Sequence, residues 1–320
     1  MPNCCICFTT NKGYLFPTVV SAIQARANSS RSLADVAVYC VEKPSKQVDD
    51  FAVVCASEGI DFACIDPEVT DHSHVAFTRL FLDRFVPSQY SQFLYIDGDT
   101  QIMGSLDPLI TADVPANRFL ATTDPIAFEY NREDRAPERM REYLKRIGIA
   151  SIKDYFNSGV LRINRNGWSE ISARAYAFCL TTKKRELHFW DQDGLNVVAA
   201  QSGVRLPMSL KYNFPVFLRN CRVEEQLKPV IYHFMSNPKP WNGSFPPWNQ
   251  AATMPYRELC QKYPAMRPYQ PPFSTLKKAK YFVQQRVKQL NETVTWGLSG
   301  RRGEVLSYED MCRNLSILSA

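Results

Sequence analysis

The sequence predicts an α/β fold in which helices cover a mostly parallel central sheet. Two observations lead to this prediction. The chain has 320 residues, 45% of them hydrophobic, which is enough to bury a large core. Its first half alternates short apolar runs with segments of helical periodicity, as expected when helices cover the faces of a parallel sheet.

The elements follow one another in a regular order. In the first half, strands are predicted at 4–9, 35–41, 62–65, 93–96 and 119–122, with helices at 17–27, 47–58 and 74–85 between them. Pro17 supports the first helix, because a proline near a helix start leaves no hydrogen bond unmade. The second half continues with a strand at 155–163, helices at 168–180 and 192–200, and a late strand at 230–234.

The end of the chain has a different composition. Segment 238–272 holds seven further prolines between its two ends and is predicted to be mostly irregular. Residues 274–290 are predicted to form a basic helix, with Tyr281, Phe282, Val283 and Val287 as its apolar members. We therefore divide the chain into a main domain, 1–245, and a Pro-rich and helical basic tail, 246–320.

Charge and cysteine content exclude some classes of protein. Residues 1–255 carry 27 Lys and Arg against 27 Asp and Glu, whereas 256–320 carry 11 against 5. A neutral body argues against a nucleic-acid enzyme, and a basic tail either touches an anionic membrane surface or is simply solvated. The ten cysteines lie mostly in apolar runs without paired zinc spacing, which favours buried free thiols over metal ligands.

The sequence gives no indication of a membrane span or a secretion signal. Charged or amide side chains interrupt every apolar run before it reaches the roughly 18 to 20 residues of a spanning helix. The first residues, Met1 to Phe8, lack a basic stretch and a cleavage site. We expect a cytoplasmic protein, with the basic tail as a candidate contact to the inner face of a membrane.

The strongest local signal is an acidic pair after a strand. The run at 93–96 leads directly into Asp97, Gly98 and Asp99, so two carboxylates leave the carboxyl edge of the sheet, where open α/β sheets bind ligands. If Gly98 lets the backbone bend, both carboxylates reach one site and offer oxygen ligands to a hard divalent cation. The alternative is a surface turn, since Asp-Gly is a common turn dipeptide.

The surrounding sequence decides between these readings. Residues 93–109, Phe-Leu-Tyr-Ile-Asp-Gly-Asp-Thr-Gln-Ile-Met-Gly-Ser-Leu-Asp-Pro-Leu, resemble the Asp-x-Asp region of family 8 glycosyltransferases, a retaining group that includes galactosyl- and glucosyltransferases and glycogenin. The resemblance extends over about residues 4–243. It implies a GT-A-type fold, a UDP-sugar donor and Mn²⁺ or Mg²⁺ bound at the acidic pair.

Further stretches resemble the family in the order in which the family has them. Thr9, Asn11 and Tyr14 follow the first strand, where an acidic residue and a tyrosine approach uracil and ribose; Asn11 stands where an aspartate is common. Tyr14 is either a stacking partner of the nucleobase or a core aromatic. Arg79 resembles the family's arginine that faces the nucleotide sugar. The alternative is that Arg79 only forms a structural ion pair, with Asp97 or Asp124.

The sugar-binding residues are implied by three more matches. Asp124 ends a strand, and the resemblance places it near the transferred sugar. Asn157, in Phe-Asn-Ser-Gly-Val, offers an amide to sugar hydroxyls or caps a turn. In Asp-Gln-Asp-Gly-Leu-Asn, Asp191 is implied to bind the sugar and Gln192 to lie beneath the anomeric carbon, while Asp191 is also a candidate helix N-cap.

The last match supplies the third metal ligand. The stretch 232–241, Tyr-His-Phe-Met-Ser-Asn-Pro-Lys-Pro-Trp, resembles His-Phe-x-Gly-x-x-Lys-Pro-Trp, with Ser236 where glycine is common. Imidazole suits Mn²⁺ beside carboxylates, so Asp97, Asp99 and His233 form a candidate metal triad. Lys239 is expected to neutralise the leaving diphosphate.

These residues together predict a retaining transferase that moves galactose or glucose from a UDP-hexose to a hydroxyl of a carbohydrate or glycolipid. Gln192 is a weak nucleophile, which favours attack on the face that the diphosphate leaves. Two alternatives stay open at this point: a nucleotidyltransferase that makes sugar nucleotides, and a binding protein without catalysis. Self-glycosylation on one of the 15 tyrosines is a further variant of the first reading.

Overall fold

The strands form two sheets that meet at the predicted site. The computed structural model describes residues 2–129, 135–182, 187–298 and 300–315. The strands are β1 Cys4–Thr10, β2 Ala34–Val41, β3 Asp61–Ile65, β4 Gln92–Ile96, β5 Thr100–Ile102, β6 Phe119–Thr123, β7 Phe156–Asn164, β8 Arg205–Pro207, β9 Phe214–Pro215 and β10 Ile231–His233. The large sheet has the order β3-β2-β1-β4-β7-β6-β8, and the small sheet has the order β5-β10-β9.

Helices cover the large sheet and continue into the tail. The α-helices are α1 Leu15–Ala27, α2 Lys46–Ser57, α3 Leu82–Phe85, α4 Asp107–Ile110, α5 Arg135–Arg146, α6 Trp168–Thr181, α7 Asp191–Ser202, α8 Glu224–Leu227, α9 Met254–Lys262, α10 Thr275–Leu298 and α11 Arg301–Asn314. Two large apolar clusters pack on the opposite faces of the sheet, because alternate β1 residues, such as Ile6 and Cys7, point to opposite sides.

Strand direction explains why distant segments share one edge. β1 to β4 are parallel, whereas β7 runs antiparallel to both β4 and β6. The start of β7 therefore lies beside the carboxyl ends of β4 and β6: Val160 is paired with Ile96, and Phe156 with Thr123. Polar residues that follow β4 and β6 and open β7 consequently meet at the same place.

The small sheet brings the late strand to this edge. β10 pairs antiparallel with β5, so that His233 lies opposite Thr100, the residue after Asp99. The Phe234 N–H donates to the Asp99 carbonyl at 3.0 Å. The histidine is thus fixed by backbone hydrogen bonds to the segment that carries the acidic pair.

All seven predicted strands and most of the predicted helices are confirmed within one or two residues, but two predictions are wrong. Segment 74–85 is a 3-10 helix, Val75–Phe81, followed by the short α3. In a 3-10 helix residues three apart lie on one face, and Ala76 and Arg79 both face the site. Segment 238–272 contains α9 as well as 3-10 turns, because Pro255 lies at the helix start, where it is tolerated.

The helical part of the tail is longer than the sequence predicts, and it packs closely against the main domain. α10 extends beyond the predicted limit of 290, and α11 follows it. Glu309 of α11 accepts hydrogen bonds from the Ser209 hydroxyl and the Leu210 N–H, both at 2.6 Å, and Tyr308 donates to the Met208 carbonyl at 2.8 Å. Buried hydrogen bonds therefore tie the tail to the main domain.

Two simpler predictions can also be compared with the structure. The cysteines are free thiols, and eight of the ten are buried, so the favoured reading is confirmed. Within the described residues, no helix is both long and apolar enough to cross a membrane.

Candidate active site

Asp97 and Asp99 lie directly beyond the carboxyl end of β4. The Asp97 N–H donates to the Gly159 carbonyl at 2.8 Å, which holds the turn against β7. Tyr95 donates its hydroxyl to Asp97 Oδ1 at 2.6 Å and so orients that carboxylate. The pair is built into the sheet edge and is not a loose surface turn.

Gly98 is needed for a different reason from the predicted one. The predicted bend is present as a turn at Gly98 and Asp99, but the φ of Gly98 lies outside the left-handed region, so the turn itself does not require glycine. A Cβ at this position would collide with the Thr18 hydroxyl and lie 3.2 Å from the Thr18 Cα. The absence of a side chain lets α1 pack closely against the acidic pair.

His233 completes a group of three ligand atoms. Its Nε2 is 3.2 Å from Asp99 Oδ1 and 3.9 Å from Asp97 Oδ2. One ligand atom from each of the three side chains lies within 4.8 Å of the others. Two carboxylates and an imidazole form a donor set that suits a borderline or hard divalent cation such as Mn²⁺.

Asn213 orients the imidazole. Its carbonyl oxygen is 2.8 Å from His233 Nδ1, while its amide nitrogen donates to Asn157 Oδ1 at 2.9 Å and to Thr122 Oγ1 at 3.2 Å. Because the amide nitrogen already has two acceptors, the oxygen accepts a hydrogen bond from Nδ1–H. Nε2 is then the ring nitrogen that faces the two carboxylates and that would bind a metal ion, as in metal-binding histidines.

Lys239 lies beside the same carboxylates. Its Nζ is 2.6 Å from Asp99 Oδ2, and it also donates to the Phe234 carbonyl. Burial would raise the pKa of Asp99, but Lys239 and His233 outweigh it and hold this pKa well below its ordinary value. Asp99 is therefore ionised at neutral pH, and the ammonium group of Lys239 lies next to the acidic pair.

Arg79 links the acidic pair to Asp191. The arginine is 8% exposed, with Nη2 3.2 Å from Asp97 Oδ1 and Nε 2.8 Å from Asp191 Oδ2. The suggested pair with Asp97 is present, but the suggested pair with Asp124 is wrong, because Asp124 accepts from amides instead. Burial raises the pKa of Asp191 to about 7, and Arg79 opposes this rise.

A buried hydrogen-bond network fixes the side chains that are predicted to bind the sugar. Gln192 Oε1 accepts from the Ser158 N–H at 3.0 Å and from its hydroxyl at 3.3 Å, and Gln192 Nε2 donates to Asp124 Oδ2 at 3.2 Å. Asn157 Nδ2 donates to the same oxygen at 3.1 Å. Burial raises the pKa of Asp124, and these donors oppose it. Asn157 also caps a turn, as the alternative suggested, since its Oδ1 accepts from the Gly159 N–H.

The start of α7 differs from the N-cap reading. The N-cap residue is Trp190, at φ 54°, and Asp191 is the first helical residue, with its carboxylate on Arg79. The fully buried Asp193 accepts from the hydroxyls of Tyr143 and Tyr155, at 2.7 and 2.6 Å, and from the Phe189 N–H at 2.8 Å. Asp193 therefore anchors the segment that leads into α7.

The residues predicted to face the nucleoside lie at the end of β1. Thr9 is buried and donates its hydroxyl to that of Tyr95 at 3.4 Å. Asn11 precedes the 3-10 turn Lys12–Tyr14 and makes no side-chain cap. Tyr14 contacts Trp241 edge-on, with centroids 5.5 Å apart; burial, then Asp99 and Asp97, raise its pKa, so the ring lies close to the acidic pair.

One open cavity of about 490 Å³ collects most of the predicted residues. The predicted residues that line it are Arg79, Asp97, Asp99, Asp124, Asn157, Asp191, Gln192, His233 and Ser236. The predicted residues that do not line it are Thr9, Asn11, Tyr14, Gly98 and Lys239. Its remaining wall includes Phe189, Trp190, Phe217 and, from the tail, Lys288.

A family model described as Glycosyl transferase family 8 matches residues 5–244, three quarters of the chain. The chain belongs to glycosyltransferase family 8. The match ends just beyond Lys239, so every predicted site residue lies inside it, whereas α9 to α11 lie outside.

Several of the similar proteins are described as glycosyltransferases. The lipopolysaccharide glucosyltransferase WaaO of Escherichia coli is 26% identical over 186 residues, which cover 55% of this chain and 51% of that protein. The glycosyltransferase GlyE of Streptococcus pneumoniae is 25% identical over 179 residues, which cover 53% of this chain and 38% of that protein. The chain thus spans about half, or less, of the length of these relatives.

Solved structures confirm the GT-A fold. The galactosyltransferase LgtC, in complex with donor and acceptor sugar analogues, superposes with a TM-score of 0.63 at 20% identity over 83% of this chain and 99% of that one. The bifunctional glycosyltransferase WbbM gives 0.65 at 15% identity over 84% of this chain and 51% of that one. At these identities the likeness concerns the fold alone.

Sequence reasoning missed three features of this family 8 site. Asn213 is a lone polar residue before a two-residue strand, and no local pattern marks it. The tyrosine partners of Asp193 come from distant segments. Lys288 belongs to the predicted tail, and it reaches the cavity because α10 packs against residues 216–221.

Proposed function

We propose that this protein is a retaining hexosyltransferase that transfers galactose or glucose from a UDP-sugar to a hydroxyl of a carbohydrate or glycolipid acceptor, with Mn²⁺ or Mg²⁺ as cofactor. One observation carries the proposal. The ligand atoms of Asp97, Asp99 and His233 lie within 4.8 Å of one another in a cavity that also exposes Asp191 and Gln192. A metal triad beside a sugar-sized polar floor is what a nucleotide-sugar transferase needs.

Donor breakdown puts negative charge on the diphosphate and positive charge on the anomeric carbon. Asp97, Asp99 and His233 would hold a divalent ion, which would supply Lewis-acid stabilisation of the diphosphate. Lys239 adds a permanent positive charge, and its side chain can turn from Asp99 to a phosphate oxygen. The Ser236 hydroxyl can donate to another phosphate oxygen. Such preorganised charges act most strongly where water is excluded. Tyr14, beyond the acidic pair, is our candidate for stacking on the uracil.

The transferred hexose is held on the other side of the triad. Asp191 and Asn157 bind its hydroxyls, and Arg79 keeps the Asp191 carboxylate oriented while it neutralises part of the buried negative charge. Asp124 takes the amides of Asn157 and Gln192 and so fixes both side chains. These hydrogen bonds hold the sugar in place before the acceptor arrives.

The network also bears on how configuration is retained. The Gln192 carbonyl oxygen already accepts two hydrogen bonds from Ser158, and an amide oxygen is a weak nucleophile. Asp193 is fully buried and has three donors of its own. We therefore propose front-face attack. The acceptor oxygen bonds to the anomeric carbon on the side from which the diphosphate leaves, and the departing diphosphate oxygen takes the proton of the acceptor hydroxyl. A covalent sugar adduct trapped on Asp191 or Asp193 would contradict this mechanism.

The products distinguish the proposal from its alternatives. A transferase releases UDP, a nucleotidyltransferase releases pyrophosphate, and a binding protein releases neither. A nucleotidyltransferase would need a glycine-rich phosphate loop after β1, where this chain has Thr-Asn-Lys-Gly-Tyr. This difference favours the transferase, as does the buried polar network around Gln192.

The test is UDP release from UDP-galactose and UDP-glucose with Mn²⁺, with and without chelator. Asp97→Asn should lower the metal-dependent rate at least about 100-fold, with little change in melting temperature because Asp97 carries little core packing. Asp49→Asn, on the exposed face of α2, is the matched control. Normal activity of Asp97→Asn in chelator would remove the metal from the mechanism.

We also propose that α10 holds the protein at the anionic inner face of a membrane, on the cytoplasmic side. The helix carries an exposed apolar stripe: Leu276, Val283, Val287, Leu290 and Val294 are 57–84% exposed. The last four are spaced by 4, 3 and 4 residues, so they share one side of the helix. Basic residues alternate with the stripe: Lys277, Lys278, Lys280 and Arg286. An apolar stripe among cations suits anionic lipid better than a second, equally basic copy.

Vesicle sedimentation tests this part separately. The protein should sediment with phosphatidylglycerol vesicles and not with phosphatidylcholine vesicles, and should lose binding in the variant Val283→Glu/Leu290→Glu. Val53→Glu, at a 69% exposed valine on α2, is the matched control. Equal sedimentation of wild type and the double variant would refute the membrane contact and leave the catalytic proposal intact.

A further inference from the structure

We propose that Lys288 and Phe217 form a subsite for a negatively charged substituent of the acceptor, so that the preferred acceptor is a sugar bearing a phosphate or carboxylate group. The inference rests on the proposed transferase function. It concerns a residue of α10 that lies outside the family match, which ends at 244.

Lys288 reaches the cavity from the tail helix. It lines the same space as Asp99, His233 and Gln192. Its Nζ lies 5.3 Å from the centroid of the Phe217 ring, which lines the cavity as well. An aromatic face and an ammonium group therefore stand side by side at the cavity wall.

This wall is separate from the groups that the donor uses. The diphosphate is assigned to the metal triad, and the hexose to Asp191 and Gln192, while Tyr14 lies outside the cavity beside Trp241. The acceptor must reach the anomeric carbon through the space that remains. That space is bounded by apolar side chains, Phe189 and Phe217 among them, and by the ammonium of Lys288.

The charge of Lys288 is the least committed in the described part of the cavity wall. The other permanent cation there is Arg79, which has two carboxylates at 2.8 and 3.2 Å. Lys288 has one carboxylate, Glu292, at the longer distance of 3.6 Å, and Glu292 also accepts from Asn220 at 2.6 Å. The Lys288 side chain is 42% exposed, so it can turn to an anion without losing a buried ion pair.

The two residues suit different parts of one ligand. The Phe217 ring can pack against the C–H face of a pyranose, and the ammonium can pair with the anionic substituent. A flexible lysine acts as a point charge and does not select one geometry of oxygens, so phosphate and carboxylate are both accommodated. A charge-assisted contact of this kind corresponds to roughly a tenfold preference over the neutral sugar, or more.

The experiment compares binding of glucose 6-phosphate and glucose, by calorimetry, to the full chain saturated with Mn²⁺ and UDP. Saturation occupies the donor phosphate site, so the phosphate of the probe cannot use it. We expect wild type to bind glucose 6-phosphate about tenfold more tightly than glucose, and Lys288→Gln to bind both equally. Lys288→Arg should retain the preference, and Lys145→Gln, at an exposed lysine of α5, should leave it unchanged.

Several results would overturn the subsite. They are a wild type without preference for the phosphate, a preference that survives in Lys288→Gln, or a loss of UDP affinity in Lys288→Gln, which would make Lys288 a donor clamp. UDP binding and UDP release by wild type are measured first. Failure there refutes the transferase function itself, whereas failure of the sugar comparison alone refutes only the acceptor subsite.

Discussion

Replacing Gly159 by alanine should disable His233 while leaving the fold in place. A Cβ at 159 would lie 2.8 Å from His233 Nδ1 and 2.9 Å from Asn157 Oδ1, and closer still to His233 Cε1, where ordinary contacts need about 3.4 Å. Asn213 holds the ring from Nδ1 at 2.8 Å, so the imidazole cannot move without breaking that hydrogen bond. We expect the ring to shift by roughly 1 Å, which in a catalytic geometry costs on the order of 100-fold, or about 2.7 kcal/mol of transition-state stabilisation.

Two assays measure this effect. Mn²⁺ titration should give a dissociation constant raised about 10- to 100-fold, as for other disturbances of the surroundings of a metal ligand, and UDP release should fall by about 100-fold. Gly104→Ala is the matched control, because its Cβ would meet Val230 at an ordinary 3.5 Å. If Gly159→Ala bound Mn²⁺ as wild type does and kept its turnover, the close approach of His233 to β7 would have no functional meaning.

Three further predictions concern single side chains. In Asp124→Asn the remaining oxygen can accept from both amides, as Oδ2 does, but the new amide nitrogen then faces the Ile126 N–H, whose acceptor was Oδ1. We expect about 1–3 kcal/mol lower stability by denaturant unfolding and reduced UDP release; an unchanged variant would contradict the network. Lys239→Ala should lower the rate of UDP release more than it weakens binding of the acceptor, and the reverse split would refute its role at the diphosphate. Burial raises the pKa of Glu309 above its ordinary 4.5, so its contribution to stability is complete below that pH and is lost as pH rises through the folded-state pKa. The melting temperature of Glu309→Gln should therefore rise relative to that of wild type as the pH increases from 4 to 8. A constant difference between the two melting temperatures would show that Glu309 does not titrate.

Strand positions could be predicted because buried parallel strands are continuous apolar runs, and β1, β2 and β4 are of this kind. The direction of β7 could not be predicted, since antiparallel and parallel strands that are buried on both faces have the same composition. Only the structure explains why Asn157, at the start of β7, meets Asp97 and Asp124, at the ends of their strands. The tail was underestimated because prolines at helix starts read as interruptions, and α11 has a weak apolar pattern.

The local motifs of the site could be predicted because their residue types are needed for the chemistry. Carboxylates and an imidazole are the donor types of a divalent metal site, and a lysine beside them is typical of an anion site. Arg79 shows the limit: a partner carboxylate was expected, but choosing Asp191 over Asp124 required the coordinates. Asn213 and Lys288 were missed because each is a single residue in an unrelated segment, and only packing brings it to the cavity.

The hydrogen bonds from Asp124 to His233 have one polarity. A carboxylate can only accept, so Asn157 must turn its nitrogen toward Asp124 and its oxygen toward Asn213; Asn213 in turn must offer its oxygen to the imidazole. A charge at the end of β6 thereby selects the tautomer of a ring carried by the other sheet. Exchanging either asparagine for aspartate would place two acceptors opposite each other and break the chain of hydrogen bonds. A single substitution at either position is therefore poorly tolerated.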